Sequence, residues 1–134
     1  MKGISAFVLF AAFVFNAAAL SSCGSSSTNT GGASSSPAVQ IVACPTAPAA
    51  TVAITNSSFQ PTGTAIAVNG IVKWTNNDSI AHTVTSGSQG TPDGTFDSGN
   101  LSQNATVCIQ FLEIGSYSYF CKIHPFMTGV VAVQ

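Results

Sequence analysis

The sequence predicts an all-β sandwich over residues 37–134. Short runs rich in β-branched and aromatic residues recur along this stretch. Gly, Asn, Asp and Pro punctuate them at the spacing of tight turns. No 3.6-residue apolar stripe occurs beyond the N-terminal apolar segment. Many short strands in this pattern argue for two packed sheets. About 98 residues remain from Pro37 onward, enough for one small domain.

The expected strands are 51–54 (Thr-Val-Ala-Ile), 64–68 (Thr-Ala-Ile-Ala-Val), 71–74 (Ile-Val-Lys-Trp), 82–85 (His-Thr-Val-Thr), 105–111, 116–120 and 129–133. The turns between them fall at Asn56-Ser57, Asn69-Gly70, Pro92-Asp93-Gly94, Ser98-Gly99-Asn100 and Gly115. Asn69-Gly70 between two such runs is a hairpin signal. In 105–111, parity puts Val107, Ile109 and Phe111 on one face, expected to be core, and Thr106, Cys108 and Gln110 on the other. Trp74 is expected in the core. Gly115-Ser116-Tyr117 resembles a tyrosine corner, a structural device.

The N-terminus is a different object. Met1-Lys2-Gly3 opens an apolar stretch from residue 4 to 20, the pattern of a secretory signal peptide over 1–22. Leu20-Ser21-Ser22-Cys23 resembles a bacterial lipobox, in which Cys23 becomes the lipidated first residue of the mature chain. Two alternatives stay open. One is a membrane anchor, although seventeen residues interrupted by Asn16 are short for a span. The other is cleavage after Ala17-Ala18-Ala19, which would leave a soluble periplasmic protein. Residues 24–36 collapse to Gly, Ser, Thr, Asn and Ala, a flexible linker with a root-mean-square reach of about 20 Å. The expected organisation is therefore signal peptide 1–22, lipidated Cys23 and linker 23–36, and folded domain 37–134.

Charge is nearly absent. Beyond the leader, Lys73 and Lys122 face Asp78, Asp93, Asp97 and Glu113. Without a basic patch, nucleic acid is not an expected partner. The chain has no Gly-rich phosphate loop. It has only two His, His82 and His124, and those are wanted elsewhere.

Cys121, His124 and Met127 are spaced Cys-x-x-His-x-x-Met. With His82 they supply a thiolate, two imidazoles and a thioether, the donor set of a blue-copper site with a trigonal His₂Cys plane and a weak axial Met. Imidazole suits both copper oxidation states, and the soft sulfurs favour Cu(I). The last three donors fit one tight loop between strands, stiffened by Pro125. Taken singly, each has a commoner structural reading: Met127 as core filler, Cys121 as a buried thiol, His82 as a hydrogen-bonded His. Zinc also accepts Cys and His, but a structural zinc site wants four strong donors and Met is a poor one.

Ser118-Tyr119-Phe120-Cys121-Lys122-Ile123-His124-Pro125-Phe126-Met127-Thr128-Gly129-Val130-Val131 resembles the C-terminal signature of the cupredoxins, nearest the plastocyanin/amicyanin group. Residues 72–78 followed by Ala81-His82-Thr83-Val84 are similar to that family's first-His segment, and Phe96-Asp97-Ser98-Gly99 is family-like too. The resemblance covers roughly 51–133. It implies a Greek-key β-sandwich of about eight strands, one copper ion held by His82, Cys121, His124 and Met127, and electron transfer. Many members carry Asn after the first His, where it supports the Cys ligand; here Thr83 stands there.

With Cys121 on copper and Cys23 on lipid, Cys44 and Cys108 remain, and an exported chain permits a disulfide between them. It would pin an N-terminal piece, 38–48, across the outer face of the sheet and contribute roughly 4 kcal/mol. Two buried free thiols are the alternative. The expected function is a monomeric one-electron carrier at a bacterial membrane surface, facing the periplasm or the exterior. Redox partners would dock near His124 and Phe126 through a small transient interface. A copper carrier or storage protein is the alternative. An enzyme is not expected, because no His is left for a second copper centre.

Overall fold

A computed structural model describes residues 37–134 of the chain. The expected signal peptide, Cys23 and linker lie outside the described residues. Ten strands form: β1 (Val39–Val42), β2 (Ala50–Thr55), β3 (Ser58–Gln60), β4 (Gly63–Ile66), β5 (Ile71–Asn76), β6 (Thr85–Ser88), β7 (Thr91–Asp97), β8 (Thr106–Phe111), β9 (Gly115–Phe120) and β10 (Thr128–Val133). They make two five-stranded sheets, ordered β1-β8-β5-β2-β3 and β4-β10-β9-β6-β7. The β2–β5 and β4–β10 pairs are parallel, and the remaining ladders are antiparallel.

The all-β sandwich is as expected, with ten strands rather than about eight. The additional strands carry weak sequence signals for physical reasons. β3 has three residues. β1 and β7 are edge strands, and β7 (Thr-Pro-Asp-Gly-Thr-Phe-Asp) buries only Phe96, so no apolar alternation marks it.

Two expected elements are corrected. Asn69-Gly70 does not close a hairpin, because β4 and β5 belong to different sheets. The turn instead carries the chain from one layer to the other. Gly70 N–H donates to Ala67 O, Asn69 adopts φ 68°, and Asn69 N–H reaches Phe111 O at 2.7 Å. A Cβ on Gly70 would stand 2.7 Å from Ala67 O, so the corner needs glycine. The strand expected at 82–85 begins only at Thr85. His82 makes an isolated bridge to Leu101, and the amides of Thr83 and Val84 are taken by the side chains of Cys121 and Ser98 rather than by a ladder.

Parity in β8 holds: Val107, Ile109 and Phe111 are buried in the core. They meet Val52, Ile54, Val72 and Trp74 from the same sheet, and Tyr119, Val131 and Val133 from the facing one. Tyr119 sits at the centre, edge-on to Phe59 (4.8 Å) and Trp74 (5.4 Å). Tyr117 donates its hydroxyl to Glu113 O at 3.0 Å, which is the tyrosine corner.

Cys44 and Cys108 are disulfide-bonded, with Cα atoms 5.1 Å apart. The N-terminal piece does more than lie across the sheet. Its first part is β1, paired with β8 from Val39↔Phe111 to Val42↔Cys108. The chain then passes from β1 to β2, which lie on opposite sides of β8 and β5. The disulfide fastens this crossing to the outward side of β8.

Candidate metal centre

The site forms where the β9–β10 loop meets the segment between β5 and β6. Asn76, fully buried at the end of β5, shapes that segment: its Nδ2 donates to Ile80 O and Leu101 O at 2.8 Å each, and its Oδ1 accepts from Asp78 N–H. Asp78 is thereby aimed back at the fold. Its carboxylate accepts the amides of Asn56 (2.8 Å) and Ser57 (2.9 Å), and Oδ2 lies 3.0 Å from His82 Nε2. The Ser57 amide is the main influence that lowers the Asp78 pKa; together with the Asn56 amide and His82 it outweighs the upward pull of burial.

A carboxylate only accepts, so the His82 proton belongs on Nε2 and the Nδ1 lone pair faces the site. His82 is completely buried. Its Nδ1 stands 3.2 Å from His124 Nδ1 and 3.8 Å from Cys121 Sγ, and His124 Nδ1 stands 3.9 Å from the same sulfur. The centre of that triangle is about 2.1 Å from each corner, close to metal–imidazole and metal–thiolate bond lengths. These three donors are thus brought together, and they fit a soft first-row metal such as copper.

The β9–β10 loop is tied across its base. Cys121 N–H donates to Met127 O (3.1 Å) and Met127 N–H to His124 O (2.9 Å), which folds the Cys-x-x-His-x-x-Met spacing into one turn. Cys121 and Met127 are buried, while His124 is half-buried. Thr83 N–H donates to Cys121 Sγ at 3.3 Å, and Thr83 Oγ1 accepts from Lys122 N–H at 2.8 Å. One apolar side chain stands beside His124 at the surface. Phe126 is 65% exposed with its ring 6.0 Å from the His124 ring, and Ile80 and Ile123 of the two ligand-bearing segments are also exposed.

Of the four expected site residues, the structure brings His82, Cys121 and His124 together and buries Met127 in the same loop. Asp78 and Asn76 were not singled out by sequence reasoning. The available signal was a carboxylate four residues before a candidate His ligand, in reach of its second ring nitrogen.

The family model for copper binding proteins of the plastocyanin/azurin family matches residues 47–134. Amicyanin-alpha of Methylorubrum extorquens is 32% identical over 83 residues, covering 62% of this chain and 70% of that protein. Amicyanin of Paracoccus versutus is 35% identical over 63 residues, covering 47% and 48% of the two chains. Among solved structures, a Cu(I) form of an amicyanin mutant superposes with a TM-score of 0.64 at 22% identity, covering 72% of this chain and 98% of that one. A purple cupredoxin from Nitrosopumilus maritimus gives 0.59 at 30% identity, covering 63% and 99%. With the sandwich, the converging donors and the match over most of the described residues, the chain belongs to the plastocyanin/azurin family of copper binding proteins.

Proposed function

We propose that the protein is a blue-copper one-electron carrier, with His82, Cys121, His124 and Met127 as the copper ligands. The observation that carries this is the convergence of two imidazole Nδ1 atoms and a buried thiol sulfur within 3.2–3.9 Å of one another. Copper bound there would supply a Cu(II)/Cu(I) couple. The chain's own residues keep the donors fixed: Asp78 orients His82, the Thr83 amide supports the Cys121 sulfur, and the Met127–Cys121 bond closes the loop. Donors held in this way favour exchange of an electron with little movement.

His124 is the most accessible of the three converging donors, and the exposed Phe126 ring lies 6.0 Å from its ring. That apolar side chain suits a small, transient contact with a redox partner. Both His of the chain lie in this one cluster, so none remains for a second copper centre or for acid–base catalysis. A role in copper delivery is less well supported: the site is buried, and Met127 is the only Met after Met1.

The same reading takes 1–22 as a signal peptide, 23–36 as a tether and 37–134 as a monomeric copper domain. It takes Cys23 as lipidated and the domain as working at a bacterial membrane surface, facing the periplasm or the exterior. Several acyl chains would be needed for stable attachment. Titration with Cu(II) should give an intense thiolate-to-copper band that Cys121→Ser abolishes. A variant that keeps the band would overturn the ligand assignment. Wild type should fractionate with membranes and Cys23→Ala should not. Native protein in the soluble fraction beginning at Leu20 would overturn the tether.

A further inference from the structure

Thr83 stands where the resemblance expects Asn, and a hydroxyl is a poorer brace than an amide because it rotates. Thr83 Oγ1 accepts the Lys122 amide, which still leaves its own proton free to swing. The structure provides a partner for that proton. Thr85 Oγ1 lies 3.1 Å from Thr83 Oγ1 and 3.1 Å from Asp97 Oδ1. Asp97 accepts from Gly99 N–H with the same oxygen, and its Oδ2 pairs with Lys122 Nζ.

Proton counting fixes the direction. A carboxylate cannot donate, and an ionised acceptor makes the stronger bond, so the single Thr85 proton goes to Asp97. Thr85 Oγ1 is then free to accept the Thr83 proton, and Thr83 Oγ1 to accept the Lys122 amide. The relay runs Lys122 N–H to Thr83, Thr83 to Thr85, and Thr85 to Asp97. Lys122 closes the ring through its ammonium on the other carboxylate oxygen. Thr83 and Thr85 are buried, so each hydroxyl depends on these partners and not on water.

We propose that Thr85 and Asp97 are positioning residues for the Cys121 ligand, acting through the Thr83 hydroxyl in place of the family's Asn. The ring spans β6, β7 and both ligand-bearing segments. It fixes the Lys122 amide of the Cys121–Lys122 peptide, while the Thr83 amide meets the Cys121 sulfur. The proposal rests on the copper reading only for its spectroscopic consequence; the ring itself belongs to the chain without metal.

The test uses the full chain with Thr85→Val, which keeps volume and removes the hydroxyl, and Thr85→Ser, which keeps the hydroxyl and removes a methyl. In the metal-free protein, amide exchange at Lys122 should accelerate roughly tenfold in Thr85→Val, the scale of one lost hydrogen bond. It should stay near wild type in Thr85→Ser, and the Leu101 amide should not change in either variant. With Cu(II), the thiolate band should shift in Thr85→Val and return in Thr85→Ser. Asp97→Ala, altering a partly exposed side chain, should reproduce the Thr85→Val effect and serves if that variant does not fold. Unchanged Lys122 exchange in Thr85→Val or Asp97→Ala, or equal perturbation by Thr85→Ser, overturns the relay. Wild type without a thiolate band would overturn the copper reading and leave the exchange result standing.

Discussion

Asp78 holds His82 from behind: Oδ2 sits 3.0 Å from Nε2, and the same carboxylate is anchored by the amides of Asn56 and Ser57. Both anchoring residues have positive φ, 51° and 53°, in the turn between β2 and β3. A tight turn remote in sequence thus sets the tautomer and angle of the buried His82. The β5–β6 segment gives the site its direction, and the β2–β3 turn gives it rigidity.

Asp78→Ala should therefore weaken copper binding by about 10- to 100-fold, the usual cost of removing a partner behind a ligating His. Competition with a chelator of known affinity measures it. Unchanged affinity would mean that packing alone orients His82.

Met127→Gln should keep copper and lower the reduction potential, because the axial donor tunes it. Cyclic voltammetry reads the shift. A potential equal to wild type would show that Met127 is core filler and not a ligand.

Replacing both Cys44 and Cys108 by Ala should destabilise the domain by about 2–5 kcal/mol while leaving the thiolate band in place. The bond fastens the β1–β2 crossing to β8, a strand that carries none of His82, Cys121, His124 and Met127. Denaturant unfolding followed beside the visible spectrum separates the two effects. Loss of the band in a folded variant would contradict the division.

Gly129→Ala should cost about 1–3 kcal/mol by overpacking. A Cβ at residue 129 would overlap the Tyr119 ring, which is buried at the centre of the core. Burial also pushes the Tyr119 pKa up to about 12 against a smaller downward pull from the Trp74 indole, but the geometry between the two is too poor for a hydrogen bond and leaves both polar atoms unpaired. Tyr119→Phe should thus be neutral or stabilising, since it removes an unpaired polar group. Thermal unfolding of the two variants tests both statements, and a strongly destabilised Tyr119→Phe would reveal a partner for the hydroxyl.

Acid should loosen the β6–β7 hairpin. Burial pulls the Asp93 carboxyl upward, but the Ser86 hydroxyl and Thr95 amide outweigh it, and the net pKa is below the ordinary 3.8. Asp97 behaves alike: burial raises it, while Lys122, Gly99 and Thr85 lower it further. A depressed carboxylate contributes stability that is complete above its unfolded value and is lost as pH falls through the folded one. Exchange protection in β6 and β7 should accordingly be flat above about pH 5 and fall below about pH 4. Asp93→Asn should flatten the fall, and a profile that begins to fall near pH 6 would point to another group.

Much of this protein was readable before folding. The Cys-x-x-His-x-x-Met spacing pointed to the loop that brings Cys121 and His124 to His82, because one turn between strands can present both donors. Cys44 and Cys108 were the expected pair, with two free thiols as the alternative, and the structure bonds them and leaves Cys121 free. Alternation in 105–111 gave the buried face of β8, because a period of two leaves no choice once one face is apolar.

Tertiary structure decided what alternation and spacing do not encode. Asn69-Gly70 has the chemistry of a hairpin turn, yet Asn69 bonds to Phe111 and the chain changes sheets there. The run 82–85 has the composition of a strand, but the Cys121 sulfur and the Ser98 hydroxyl capture the amides of Thr83 and Val84. β7 has no apolar rhythm and exists because β6 offers it a ladder. Asp78 behind His82, and the ring of Thr83, Thr85, Asp97 and Lys122, join residues up to about forty positions apart by single hydrogen bonds. Local sequence determines which faces are buried and which residue types can hold a metal. Which distant polar group completes a donor's hydrogen bond depends on register and sheet order, and those exist only in the packed chain.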